Sequence, residues 1–286
     1  MKDGVGKLLE RVQKSNGSAF TIIQFVLDDI IEMAGSGRID RERWGDLALG
    51  IGSSMGRMAP LYNVANLIMV SLEDEDHNTR LLEEFKRVRE HHTDSVEVIA
   101  KRFVEEFSPG TVMVNSYSAT VKACLTELSR SQEVKVKVTE SLPMGEGVMF
   151  ADSIAAAGID CQIISDSMAF ECMKRVDMFL SGADAVLPHK VYNKIGSRAL
   201  ALAAREEGKP TVVVCDTLKM TPKDMGDSVA KTISIGPRLN RCSALFESFE
   251  ISLVDKVTTE LWSCTPDDLR KRFKTWKYSP VLDVMS

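Results

Sequence analysis

The sequence predicts an α/β protein in which a helical N-terminal domain precedes a C-terminal domain built on a parallel sheet. Two observations carry this. Across residues 1–107 apolar residues recur at helical spacing and β-branched runs are nearly absent. The pattern changes at Ser108-Pro109-Gly110, beyond which short Val- and Ile-rich runs alternate with helical segments, as βαβ units do. The expected domains are therefore 1–107, helical, and 108–286, α/β; a chain of 286 residues suits two domains.

In the first domain, Phe20, Ile23, Val26, Leu27, Ile30 and Ile31 mark one helix, with Ser18 as its cap and Gly35-Ser36-Gly37 as its end. Further helices are expected over 41–51 and 59–72. A long charged helix over 76–107 keeps Leu81, Phe85, Val88, Val96, Ile99 and Phe103 to one side. In the second domain the strands are expected at 111–114, 134–139, 161–165, 178–181 and 211–215, with helices at 120–128, 148–157 and 197–207. The stretch 221–239, with two Pro and two Gly, reads as a loop region.

Composition removes several classes of function. Net charge is -5 and no run of Lys and Arg stands out, so direct nucleic-acid binding is not expected. No apolar stretch approaches the ~20 residues of a membrane span. Lys7, Glu10, Arg11 and Lys14 interrupt any signal core, and a cytoplasmic location is expected. Six cysteines form no Cys-x-x-Cys pair, and four histidines do not cluster with them, so no metal site is expected. Phosphate-loop, dinucleotide-binding and Gly-x-Ser-x-Gly motifs are absent, and no cofactor is expected.

Open parallel sheets bind ligands at the carboxyl ends of their strands, which selects the residues just after each one. After the first come Asn115-Ser116-Tyr117-Ser118; Ser118 is either an anion contact or simply a helix cap. After the second, Gly145 and Gly147 flank Glu146 and suit either close ligand approach or a tight loop. Asp166 follows the third, where a carboxylate serves as a cap or as an acid or base. Gly182 follows the fourth. Asn193 and Lys194 then read as opening a helix, a position that disfavours a cation unless an anion is bound.

Several strings resemble one family. Ser181-Gly-Ala-Asp-Ala-Val186 with Tyr192-Asn-Lys-Ile-Gly-Ser197 is the most specific pair. Thr139-Glu-Ser-Leu-Pro143, Ser165-Asp-Ser-Met-Ala169 and Arg57-Met-Ala-Pro-Leu61 accompany it. The chain is similar to the alpha, beta and delta subunits of translation initiation factor 2B, a family that includes ribose-1,5-bisphosphate isomerase and methylthioribose-1-phosphate isomerase. The resemblance covers nearly the whole sequence. It implies a Rossmann-like second domain and assembly into oligomers through it.

In the isomerases a Cys and an Asp interconvert an aldose 1-phosphate and its ketose. The resemblance carries the Asp to Asp166 and the Cys to Ser116. Serine is a far weaker acid than cysteine. The Arg of the family's Glu-Ser-Arg-Pro loop is Leu142 here, which forfeits a charge-assisted contact worth roughly 1.5–3 kcal/mol. These departures favour a factor-like binding or regulatory protein over an isomerase. The expected ligand is a phosphorylated sugar or nucleotide, with Lys194 on phosphate, Asn193 on a sugar hydroxyl, and Arg57 closing the site. The expected partners are further copies of the chain, initiation factor 2, or other subunits.

Overall fold

The structure is a computed structural model that describes residues 4–14, 19–54, 59–224, 226, 230–277 and 279. Ser18, expected as a cap, and Arg57, expected over the site, lie outside the described residues.

The chain forms two compact units. The first comprises Met1–Ser95, Leu218–Met225 and Lys274–Ser286; the second comprises Val96–Thr217 and Gly226–Phe273. The division falls at Ser95/Val96, inside one long helix, rather than at 107/108.

The first unit opens with α1 (Gly4–Lys14), a helix the sequence reading passed over. Its buried residues, Val5, Leu8 and Val12, recur at three and four, while Lys7, Arg11 and Lys14 are exposed. Then follow α2 (Ala19–Gly35), α3 (Arg41–Ser54), α4 (Ala59–Ser71) and α5 (His77–Glu106). Their apolar faces share one core, with Ile23, Leu27, Trp44, Leu47, Val64 and Phe85 among its members. Each such side chain contributes roughly 1.5–3 kcal/mol on burial. Helix α4 is buried around most of its circumference, so its polar residues need internal partners. Asn63 Nδ2 donates to the carbonyls of Leu218 and Met220, both at 2.6 Å. Asn66 Nδ2 donates to Lys277 O at 3.1 Å, and its Oδ1 accepts from Ser279 N at 2.8 Å. These bonds tie two late segments of the chain into the helical unit.

The second unit alternates β1 (Thr111–Val114), α6 (Ala119–Ser129), β2 (Lys135–Thr139), α7 (Glu146–Ala155), β3 (Asp160–Ile164), α8 (Ala169–Met173) and β4 (Met178–Ser181). It continues with β5 (Ala185–Val186), β6 (Lys190–Lys194), α9 (Ser197–Glu206), β7 (Thr211–Val214), β8 (Lys231–Gly236), β9 (Leu239–Ser243), β10 (Phe246–Glu250), β11 (Lys256–Thr258), β12 (Ser263–Cys264) and α10 (Pro266–Phe273). Seven strands form one sheet in the order β12-β11-β7-β4-β1-β2-β3, parallel except for β12 against β11. Val112 and Val114 face a core with Phe103, Val121, Leu125 and Phe150, and the intervening Met113 is equally buried. Burial on both faces accounts for the unbroken apolar runs of the central strands. From β1 the chain winds outward through β2 and β3, then returns to place β4 on the other side of β1. The carboxyl ends of β1 and β4 therefore form the switch point at which such sheets bind ligands.

Two expectations need correction. The stretch 221–239 is not loop throughout, because β8 and β9 pair as an antiparallel hairpin across Gly236 and Leu239. Asn193 and Lys194 do not open a helix; they end β6, which pairs with β5 and β10 in a small separate antiparallel sheet. Helix α9 begins only after Gly196, whose φ of 97° suits glycine.

Candidate ligand site at the strand switch point

The polar residues at the carboxyl ends of β1, β2 and β3 are joined by hydrogen bonds into one network. Its hub is a pair of buried residues, Asn115 and Ser141. Asn115 Oδ1 accepts from Thr139 Oγ1 at 2.6 Å and Ser141 Oγ at 3.1 Å. Its Nδ2 donates to Ile195 O at 3.2 Å and Ser197 Oγ at 3.1 Å. One side chain thus ties the turns after β1, β2 and β6 together.

Ser116 lies just past β1 with φ of 69°, a conformation rare for a residue with a Cβ. Its N–H donates to Ser141 Oγ at 2.7 Å, and its Oγ donates to Glu146 Oε1 at 2.9 Å. The same Glu146 oxygen stands 2.6 Å from Lys194 Nζ. The lysine side chain is 3% exposed and the glutamate side chain 23%. A cation so deeply buried requires a counter-charge, and Glu146 supplies it. Glu146 Oε2 is buried without a hydrogen-bond partner. The lysine's charge is therefore neutralised by the protein itself.

Asp166, exposed after β3, points back to the same network. Its Oδ1 accepts from Ser141 N at 2.8 Å and its Oδ2 from Leu142 N at 2.9 Å. Both carboxylate oxygens hold the loop between β2 and α7. Asp166, Ser116 and Lys194 are thus brought to one place, linked through Ser141 and Glu146.

The remaining candidates are chiefly structural in what they touch. Ser118 caps α6, accepting from Val121 N at 3.3 Å. Asn193 Nδ2 donates to Ser181 Oγ at 2.9 Å and Ser197 Oγ at 3.0 Å, so its amide positions the turns after β4 and β6. A Cβ on Gly147 would lie 1.8 Å from Thr139 O, and one on Gly182 would lie 2.7 Å from Ser118 Oγ. Both glycines permit close packing of the chain on itself. Gly145, with φ of 73° and open space around it, is the turn residue that starts α7.

A second internal anion, distant along the chain, is brought close by strand pairing. Glu247 is paired opposite Asn193 in the strand register, and its Oε1 accepts from Arg198 N at 2.8 Å in the first turn of α9. Burial pushes its carboxyl above the ordinary range, against the pull of the Arg198, Gly196 and Ser197 amides.

Sequence reasoning named Glu146 only as a spacer between glycines and did not single out Asn115, Ser141 or Glu247. The usable signal was a carboxylate in the very loop whose expected arginine is missing, set against a retained lysine. No group of three or more His, Cys, Asp or Glu suited to a metal ion occurs among the described residues. No helix among them is long and apolar enough to cross a membrane.

A model of the Initiation factor 2 subunit family matches residues 51–237. The chain is 28% identical to ribose 1,5-bisphosphate isomerase of Methanocaldococcus jannaschii over 190 residues, covering 65% of this chain and 61% of the isomerase. It thus spans less than two thirds of that relative's length. It is 30% identical to an eIF-2B subunit 2-like translation initiation factor protein of Pyrococcus furiosus over 212 residues, covering 73% of each. Among solved structures, translation initiation factor eIF-2B of Pyrococcus horikoshii aligns with a TM-score of 0.75 at 24% identity, covering 94% of this chain and 99% of that one.

Proposed function

Because this chain belongs to the initiation factor 2 subunit family, we propose that it is a binding or regulatory member of it, holding a phosphorylated sugar or nucleotide at the β1–β4 switch point without turning it over. The observation that carries this reading is the state of Ser116. It stands where the resemblance puts the isomerase thiol, and its hydroxyl is already donated to Glu146. Aldose–ketose isomerisation moves a proton between carbon and oxygen, and a serine hydroxyl is poorly matched to that work near neutral pH. Both oxygens of Asp166 are meanwhile engaged by loop amides. Assembly with further copies through the sheet unit, and with initiation factor 2 or other subunits in the cytoplasm, completes the proposal.

Equilibrium binding tests it. Ribose 1,5-bisphosphate, methylthioribose 1-phosphate and nucleoside monophosphates are titrated into the chain while its melting temperature is followed; a ligand that binds only the folded state raises it. The reading requires at least one of these to do so. Flat melting curves with all of them overturn it.

One observation favours a second reading. The chain is similar to a ribose 1,5-bisphosphate isomerase, and the acid position is kept as Asp166. On that reading the chain is an aldose–ketose isomerase of a ribose 1-phosphate derivative, with Asp166 moving the proton. Turnover that disappears in Asp166→Asn would establish it.

A further inference from the structure

The group that meets Lys194 in this structure is not solvent but the chain's own carboxylate. Glu146 makes both of its bonds through one oxygen: Oε1 faces Lys194 Nζ at 2.6 Å and Ser116 Oγ at 2.9 Å. Its other oxygen, Oε2, is buried and has no partner. A buried acceptor left unmade is costly, so the carboxylate fits its place only in part. A phosphoryl group carries three terminal oxygens and a greater negative charge, and the same two donors would serve it. The two anions cannot share the lysine, because like charges at contact distance repel strongly in a site this buried.

We infer that Glu146 is a resident anion occupying the phosphoryl position beside Lys194, and that a ligand's phosphoryl group reaches this lysine only by displacing it. The inference rests on the proposed phosphorylated-ligand function and adds what controls its affinity. Glu146 lies in the first turn of α7, directly after Gly145 in its left-handed conformation. Rotation of one side chain outward vacates the lysine without moving β6 or the buried Asn115–Ser141 hub. Affinity for phosphorylated compounds is therefore set by an internal competitor, and a change at residue 146 tunes it without touching any donor.

The test uses calorimetric titration of the full chain with inorganic phosphate as the probe. Glu146→Gln keeps an oxygen for Lys194 and Ser116 but removes the competing charge. It is expected to bind inorganic phosphate about tenfold or more tightly than wild type, the order of change that loss of one adjacent like charge produces. The gain should vanish in Glu146→Gln/Lys194→Gln. If Glu146→Gln does not fold, Glu146→Asp, which withdraws the carboxylate by one methylene, is read in the same way. Phosphate affinity within about twofold of wild type, or a gain that survives loss of Lys194, overturns the inference. If wild type binds ribose 1,5-bisphosphate while residue 146 has no influence, the inference fails and the proposed function stands. A Lys194-dependent gain in phosphate binding, with ribose 1,5-bisphosphate, methylthioribose 1-phosphate and nucleoside monophosphates all bound by neither protein, supports the inference and overturns the proposed function.

Discussion

Lys194 Nζ and Glu146 Oε1 stand 2.6 Å apart, joining the end of β6 to the first turn of α7 with the lysine almost wholly out of water. That pair links the turns around the switch point. It neutralises the cation at the rim, engages the hydroxyl of Ser116, and leaves Asp166 to clamp the loop from the far side.

Removing the carboxylate altogether leaves a buried ammonium without a counter-charge. Glu146→Ala should therefore lose about 3 kcal/mol of unfolding free energy, and Glu146→Gln should lose less because its oxygen still accepts from Lys194. Urea unfolding of the two variants beside wild type checks the order.

The two glycines of the same loop should part company. Gly147→Ala would drive a methyl into the Thr139 backbone carbonyl, which cannot swing aside, and should cost more than about 3 kcal/mol or abolish folding. Gly145→Ala meets open space and pays only for a left-handed conformation, about 1 kcal/mol. Denaturation midpoints of both variants decide this.

How much of this was legible follows from how local each signal was. Strands such as 111–114 and 211–214 read clearly because burial on both faces leaves an apolar run after the opening threonine of each. Helix α4 was equally plain. Strand β6 was not: Asn193 and Lys194 precede a genuine helix, and only pairing with β10, distant in sequence, makes their segment extended. Helix α1 was missed although Val5, Leu8 and Val12 carried its period, since its charges were weighed only against a signal peptide. The placement of Ser116 and Asp166 followed from the parallel-sheet rule, whereas Lys194 reaches them from the separate antiparallel sheet. Their satisfaction by Glu146 and Ser141 did not follow from it, because a sequence does not state which carboxylate will meet which cation.

Acid stability offers an independent check on the sheet. Burial holds the Glu260 carboxyl above its ordinary 4.5, with Thr217 pulling it down and Asp216 pushing it up. The folded state then holds this proton more firmly than the unfolded state. Its contribution to stability is complete below 4.5 and is lost as pH rises through the higher folded value. Glu260→Gln lacks that titration. Its stability relative to wild type should rise with pH across that window and be constant below it, as urea midpoints at pH 4 and pH 7 would show.

Thiol reactivity should rank the cysteines by environment. Burial pushes Cys161 up to about 11 and raises buried Cys124 further still, so neither presents much thiolate near neutral pH. Cys242 is exposed. A disulfide-exchange reagent at neutral pH should label Cys242 first and Cys161 far more slowly, reaching Cys124 only on unfolding; peptide mapping at timed intervals reads this order.

On the proposed function, this switch point binds without converting. Incubation of the chain with ribose 1,5-bisphosphate, followed by phosphorus NMR, reads this out. The aldose spectrum is expected to persist unchanged while the melting temperature rises. Steady appearance of ribulose 1,5-bisphosphate that ceases in Asp166→Asn would contradict it.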